Sequence, residues 1–367
     1  MLVAGKNYQS IWVDGSDPSI VRVIDQQRLP FFFETRELRS VDDIYFAISD
    51  MTIRGAPLIG AAGAFGIYLA TLEITPAVSP RLHLENASRY LISCRPTAVN
   101  LTHAVNYMMQ GLKDVPAGSL SEVALKAARE ICENEKENCR LIGKYGLPLL
   151  ENLSKMKKGT PVNILTHCNA GWLACIDYGT VTAPVYLAHM AGIPLHVWVD
   201  ETRPRNQGAR LTAWELEQAG VPYTLIADNT GGHLMQHGMV DIVLVGCDRA
   251  SVKGDVANKI GTYLKALAAK DNGIPFYAAL PSTSIDINIS DAFSEIPVEE
   301  RDPEEVTSVS GITGGEMASV RICPEKTRAV NYGFDITPAR LISGLITEKG
   351  IIKPEESEIN RLFSQIK

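Results

Sequence analysis

The chain has 367 residues, 46% of them hydrophobic, enough for a substantial core and for more than one domain. A formal net charge of −7 argues against a general binder of nucleic-acid backbone, which needs a basic face, yet permits a local cationic pocket for one phosphate. Seven cysteines, odd in number and without CxxC spacing, read as free thiols in a reducing compartment and argue against a structural zinc site.

Residues 1–19 show no basic segment followed by an apolar run, so no secretory signal is expected. Two short strands are expected at 10–13 and 20–24, separated by the turn sequence Asp14-Gly15-Ser16-Asp17-Pro18. From Val41 onward helical patterns dominate. Residues 55–72 carry no charge and meet the length of a membrane span. Pro57, the glycines at 55, 60, 63 and 66 and the many alanines favour a buried core helix instead. A long amphipathic helix is expected over 120–150, and the lysine-rich stretch 155–161 reads as a junction. These features divide the chain into a smaller, mainly helical N-terminal domain with short β-strands (1–155) and a second domain (156–367).

In the second domain strand-like runs fall at 162–166, 194–199, 223–227, 241–246 and 275–280, with helix-compatible segments between them that include 208–219 and 256–270. Gly192, Gly220 and Gly273 stand where helices should end, each followed two residues later by a proline that leads into the next strand. This alternation predicts an α/β fold, a Rossmann-like doubly wound and mainly parallel sheet.

Ligands in such sheets sit where strand carboxyl ends meet loops. Two loops of that kind stand out. Thr166-His167-Cys168-Asn169-Ala170-Gly171 follows one apolar run, and Gly246-Cys247-Asp248-Arg249 follows another. Cys168 and Asp248 would supply a thiol and a carboxylate as an acid–base pair. Taken alone, Cys168 reads equally as packing, and Asp248 equally as an ion-pair partner of Arg249 or a helix cap. Asn258 and Lys259 then put an amide and a cation at the expected start of a helix, a setting for an anionic small molecule. Arg54-Gly55-Ala56-Pro57 offers a second cation at a helix start. The spacing of Gly55 and Gly60 mimics part of a P-loop, but Ala61-Ala62 replaces the required Lys-Ser/Thr, and no GxGxxG occurs. His233 and His237 have the i, i+4 spacing of helical metal ligands, without a glutamate between them or an obvious third ligand. No metal and no nucleotide cofactor is expected.

These loops, with Arg95-Pro96-Thr97-Ala98-Val99-Asn100-Leu101, Asp200-Glu201-Thr202-Arg203-Pro204, Gln207-Gly208-Ala209-Arg210, Phe334-Asp335-Ile336-Thr337-Pro338 and Ile346-Thr347-Glu348-Lys349-Gly350, resemble the methylthioribose-1-phosphate isomerases. The resemblance covers about residues 12–349. It implies an aldose–ketose isomerase of methionine salvage acting on a sugar phosphate, cytoplasmic and homodimeric, without membrane or nucleic-acid partners. It also implies Cys168 and Asp248 as catalytic residues, and Arg54, Gly55, Ala56, Arg95, Gln207, Asn258 and Lys259 as substrate contacts. Trp172, Asn206 and Cys247 depart from the family's usual residues close to the expected pocket. Three alternatives remain open: an isomerase of 5-deoxyribose 1-phosphate, one of ribose 1,5-bisphosphate, and a non-catalytic regulatory subunit of a translation initiation exchange factor.

Overall fold

The computed structural model describes residues 1–95 and 98–364, in two compact units. The first comprises Met1–Leu141 and Ala170–Ala183, and the second Ile142–Asn169 and Pro184–Lys367. The division falls inside the helix that precedes the expected junction, and a short excursion of the chain after Asn169 belongs with the first unit.

The first unit begins with the strand pair β1 (Leu2–Val3) and β2 (Lys6–Asn7), then an antiparallel sheet of β3 (Ile11–Val13), β4 (Val21–Ile24) and β5 (Thr35–Leu38). The third of these strands had no clear alternating signal in the sequence. Four helices follow: α1 (Val41–Ser49), α2 (Ala56–Leu72), α3 (Pro80–Ser93) and α4 (Val99–Leu112). Ser40 and Asp43 close the start of α1 as a reciprocal capping box. Helix α2 is the uncharged segment, and Pro57–Thr71 are all buried. Among the described residues no helix is long and apolar enough to cross a membrane.

The glycines of α2 explain its composition. A Cβ on Gly60 would lie 3.2 Å from the Asn100 carbonyl oxygen, one on Gly63 2.5 Å from Leu101 Cδ1, and one on Gly66 2.7 Å from Leu91 Cδ1. The missing side chains thus let α3 and α4 approach closely. Replacing Gly63 with leucine should overpack this contact by about 1–3 kcal/mol. That exceeds the gain of about 0.8 kcal/mol in helix propensity. Urea unfolding should therefore show a destabilised variant, and a stabilised one would mean that this face has room to spare.

Helix α5 (Leu120–Lys157) runs through the expected amphipathic stretch and past it, with Pro148 inside. The second unit then builds the predicted sheet from β6 (Val162–His167), β7 (Leu195–Asp200), β8 (Tyr223–Ile226) and β9 (Ile242–Val245). Helices α6 (Thr182–Met190), α7 (Ala213–Gln218) and α8 (Thr230–Gln236) fall between them. Gly192, Gly220 and Gly273 all adopt positive φ (75°, 67° and 67°), as expected of residues just past helix ends.

Two parts of this unit differ from the sequence-based expectation. The segment 256–270 is not helical throughout: β10 (Arg249–Ser251) and β11 (Val256–Lys259) form a hairpin, and α9 (Thr262–Asp271) starts only after it. Beyond β12 (Phe276–Ala279) the chain adds β13 (Ile285–Asp286), two short helices α10 (Ala292–Glu295) and α11 (Glu304–Thr307), and the hairpin β14 (Ser308–Thr313)–β15 (Glu316–Arg321). It closes with β16 (Phe334–Thr337), β17 (Gly344–Thr347), β18 (Gly350–Ile352) and α12 (Glu356–Ser364).

The main sheet has the order β18-β17-β12-β9-β6-β7-β8, parallel except for the β17–β18 pair. A second sheet, β13-β10-β11-β16, extends from the carboxyl end of β9. Strands β6 and β9 are neighbours at the centre of the main sheet, where strand order reverses relative to the chain. This is the position at which open α/β sheets bind ligands.

Candidate active site

Cys168 is the first residue past β6 and is 8% exposed. Its φ of +67° is an unfavourable conformation for a side chain bearing a Cβ. Neighbours hold it there from both sides. Its N–H donates to Thr202 Oγ1 at 2.8 Å, and its carbonyl accepts from Thr212 Oγ1 at 2.6 Å. Thr202 (φ +65°) and Asn206 (φ +53°) share the left-handed conformation, so the loop after β7 is unusual in the same way.

That loop leads into a π-helical turn, Gly208–Thr212, of the type often found at functional sites. Gly208 must be glycine, because a Cβ there would lie 1.7 Å from the Asp200 carbonyl oxygen. The tight packing fixes Gln207, whose Oε1 accepts from the Cys168 thiol at 3.3 Å. Behind the thiol, Asn169 Nδ2 donates to Thr212 Oγ1 (3.2 Å) and to Glu215 Oε1 (2.9 Å). Tyr186 donates its hydroxyl to the other oxygen of this fully buried carboxylate at 3.0 Å.

Asp248 reaches the same edge of the sheet from β9. His167 pairs with Val245 across β6 and β9, placing Cys168 one residue beyond one strand and Asp248 three beyond the other. The Asp248 N–H donates to Ala257 O at 3.0 Å, and the register Arg249↔Ala257 puts Asp248 beside Asn258. Arg249 turns away to Asp286, so the Arg249 guanidinium serves that carboxylate as a close partner.

Asn258 and Lys259 are both buried at the end of β11, in a strand rather than at a helix start. Asn258 Nδ2 donates to Thr262 Oγ1 at 3.0 Å, and the Lys259 ammonium lies 4.8 Å from the centre of the Phe334 ring. The turn after them is tied down on two sides. Asp335 accepts from the N–H groups of Gly261 (2.7 Å) and Tyr263 (3.2 Å), and His167 Nε2 meets the Ile260 carbonyl at 2.8 Å. Burial pushes the Asp335 carboxyl above its usual range, against the pull of those two N–H groups.

Cys168, Gln207, Asp248, Asn258 and Lys259 therefore meet at one carboxyl edge within the second unit. Arg54, Gly55, Ala56 and Arg95 belong to the first. Arg54 is buried, and Gly55 (φ +99°) packs so closely that a Cβ would lie 2.4 Å from the Ala174 carbonyl oxygen. Ala56 opens the 17-residue helix α2, whose first amides have no intrahelical partner. Arg95 is half-buried, and Pro96 and Thr97 of its motif lie outside the described residues.

Two further cysteines are packing residues. Cys175 sits in a buried cluster with Cys139 and Ala174, and burial holds the Cys247 thiol well above its usual range. Trp172 is a fully buried residue of the first unit. The rings of His233 on α8 and of His237, just past its end, lie 4.2 Å apart, and His237 Nδ1 contacts the His233 carbonyl. Among the described residues one cluster has metal-ligand geometry, His167, Asp200 and Asp228, but the Lys265 ammonium already lies 3.1 Å from Asp200 Oδ2. Asp200 and Lys265 were not singled out as individual site residues in the sequence. The signal available was a carboxylate ending an apolar strand, as at Asp248.

Residues 52–354 match the model of the Initiation factor 2 subunit family. Over 364 residues, 99% of both chains, the sequence is 54% identical to a methylthioribose-1-phosphate isomerase from Desulfatibacillum aliphaticivorans. The chain belongs to the methylthioribose-1-phosphate isomerase family. It is similar to the crystal structure of 5-methylthioribose 1-phosphate isomerase from Pyrococcus horikoshii OT3, at 37% identity and a TM-score of 0.83 over 98% of this chain and 97% of that one. A structure from A. fulgidus described as translation initiation factor eIF-2B, subunit delta, matches almost as well, at 38% identity and a TM-score of 0.80 over 98% and 100%. Structural similarity thus does not separate an isomerase from an initiation-factor subunit. The full-length match at 54% identity does, and places the chain with the aldose–ketose isomerases of this family.

Proposed function

We propose that this chain converts 5-methylthio-α-D-ribose 1-phosphate to 5-methylthio-D-ribulose 1-phosphate in methionine salvage, as a cytoplasmic homodimer. The observation supporting this most is the gathering of Cys168, Gln207, Asp248, Asn258 and Lys259 at one sheet edge, in a chain 54% identical to a named isomerase. A purely regulatory subunit has no use for a thiol held in a strained backbone conformation beside an amide and a carboxylate.

Phosphate on the anomeric oxygen prevents spontaneous ring opening, so the enzyme must drive it. Asp248 protonates the ring oxygen as the bond from that oxygen to C1 breaks. Cys168 takes the proton from C2, and the electron pair forms a C1–C2 double bond. The enol hydroxyl at C2 then gives up its proton as C1 gains one, leaving a ketone at C2. The hydrogen count is unchanged, and the 2-hydroxyl proton balances the one added to the ring oxygen. The resemblance implies substrate contacts at Arg54, Gly55, Ala56, Arg95, Gln207, Asn258 and Lys259, and the Asn258 amide and Lys259 ammonium at the end of β11 suit the substrate's phosphate.

The test is incubation of the purified chain with methylthioribose 1-phosphate, followed by proton and phosphorus NMR. The ketose phosphate should accumulate, and an unchanged aldose spectrum would refute the reading. Turnover should also survive exhaustive chelation without added nucleotide, because Lys265 supplies the cation at the one His/Asp cluster among the described residues. Activity lost in chelator and restored by a divalent ion would contradict this.

A further inference from the structure

His167 is 1% exposed, yet both edges of its ring are engaged by groups far apart in the sequence. Nδ1 lies 2.8 Å from Asp200 Oδ2 at the end of β7, and Lys265 Nζ lies 3.1 Å from that same oxygen. Nε2 lies 2.8 Å from the carbonyl oxygen of Ile260, which can only accept. Ile260 directly follows Asn258 and Lys259, and His167 directly precedes Cys168. The fit is tight: a Cβ on Gly261 would lie 3.1 Å from both Cε1 and Nε2 of the ring. One imidazole therefore sits between the thiol-bearing end of β6 and the turn after β11.

We propose that His167 is a positioning residue that locks the Asn258–Lys259 turn to the Cys168 strand end, so that phosphate binding and the acid–base thiol share one frame. This rests on the isomerase reading, in which Asn258 and Lys259 hold the substrate's phosphate. Asp200 and Lys265 orient the ring from one side, and Asp335 holds the turn from the other. A displaced turn misplaces the sugar relative to Cys168, and a shift of about 1 Å can cost about 10²-fold in rate.

The experiment compares His167→Asn with His167→Gln in the full chain. An asparagine amide reaches the Nδ1 position and keeps the contact with Asp200, but leaves the Ile260 carbonyl without its donor. A glutamine amide reaches the Nε2 position and restores that donor. KM for methylthioribose 1-phosphate should rise at least about tenfold in the asparagine variant and stay within about threefold of wild type in the glutamine variant. Lys259→Ala should then raise KM much less in the His167→Asn background than in wild type, because the two changes loosen the same turn.

Equal effects of the two amides, with KM unchanged and only the unfolding temperature lowered, would overturn the proposal and leave His167 a structural residue. If His167→Asn does not fold, Asp335→Asn loosens the turn without touching β6 and must raise KM; an unchanged KM overturns the proposal. Calorimetric binding of inorganic phosphate separates this from failure of the isomerase reading. Phosphate affinity should fall at least about fivefold in His167→Asn even if the true sugar is another. Unaltered phosphate binding counts against His167, whereas a wild-type chain inert toward methylthioribose 1-phosphate counts against the reading.

Discussion

Asp248→Asn should keep the fold and lose at least about 10²-fold in kcat, the usual contribution of a positioned acid–base group. The substitution is nearly isosteric. The bond that places residue 248, its N–H to Ala257 O, belongs to the backbone and is untouched. Arg249 takes Asp286 as its close partner, an ion pair that the substitution leaves in place. What the amide cannot do is give a proton to the ring oxygen and recover it. The variant should therefore melt within a few degrees of wild type and bind substrate with little change in KM. Near-normal kcat in a well-folded variant would remove Asp248 from the mechanism.

Cys168→Ser should have an effect of similar size for a different reason. The left-handed backbone at residue 168 is fixed by Thr202 and Thr212 through main-chain groups, so serine inherits the same position. Its hydroxyl can still donate to Gln207 Oε1. A hydroxyl is far less acidic than a thiol, however, and cannot exchange a proton with carbon at neutral pH. Turnover should fall at least about 10²-fold while substrate binding persists, as a group acting in the transition state requires. A pocket thiol that only fills space would tolerate serine with a small loss of stability and near-normal kcat.

The sequence revealed the inner strands of the main sheet because they are largely buried and read as apolar runs, such as Ile242–Val245, whereas β8 at the edge is partly exposed. Their carboxyl ends were legible too, since Cys168 and Asp248 lie in short loops that follow such runs. The second sheet was hidden by shortness and by competing periodicity. Val256 and Ile260, four residues apart, look like one face of a helix, and only pairing with Phe334–Thr337 makes Val256–Lys259 a strand. The extended conformation there comes from a tertiary ladder, beyond the reach of local propensity.

The same limit applies at the site. Cys168 and Gln207 could be named from the motifs around them, but not the strain that joins them, which depends on Thr202 and Thr212 more than 30 residues away. His167 was visible only as a neighbour of Cys168. Its connection to Ile260 spans 93 positions and leaves no local trace. Lys265 is similar: on α9 it reads as an ordinary surface cation, yet it is 5% exposed and faces Asp200.

Measuring kcat/KM of the purified chain on methylthioribose 1-phosphate, 5-deoxyribose 1-phosphate and ribose 1,5-bisphosphate under identical conditions tests the assigned isomerase activity. Methylthioribose 1-phosphate should be converted to its ketose with the highest kcat/KM. The bisphosphate should be the poorest substrate, because the family's substrate carries an uncharged thioether at C5. A preference for either of the other two sugar phosphates, or no turnover of any of the three by a folded protein, would contradict that assignment.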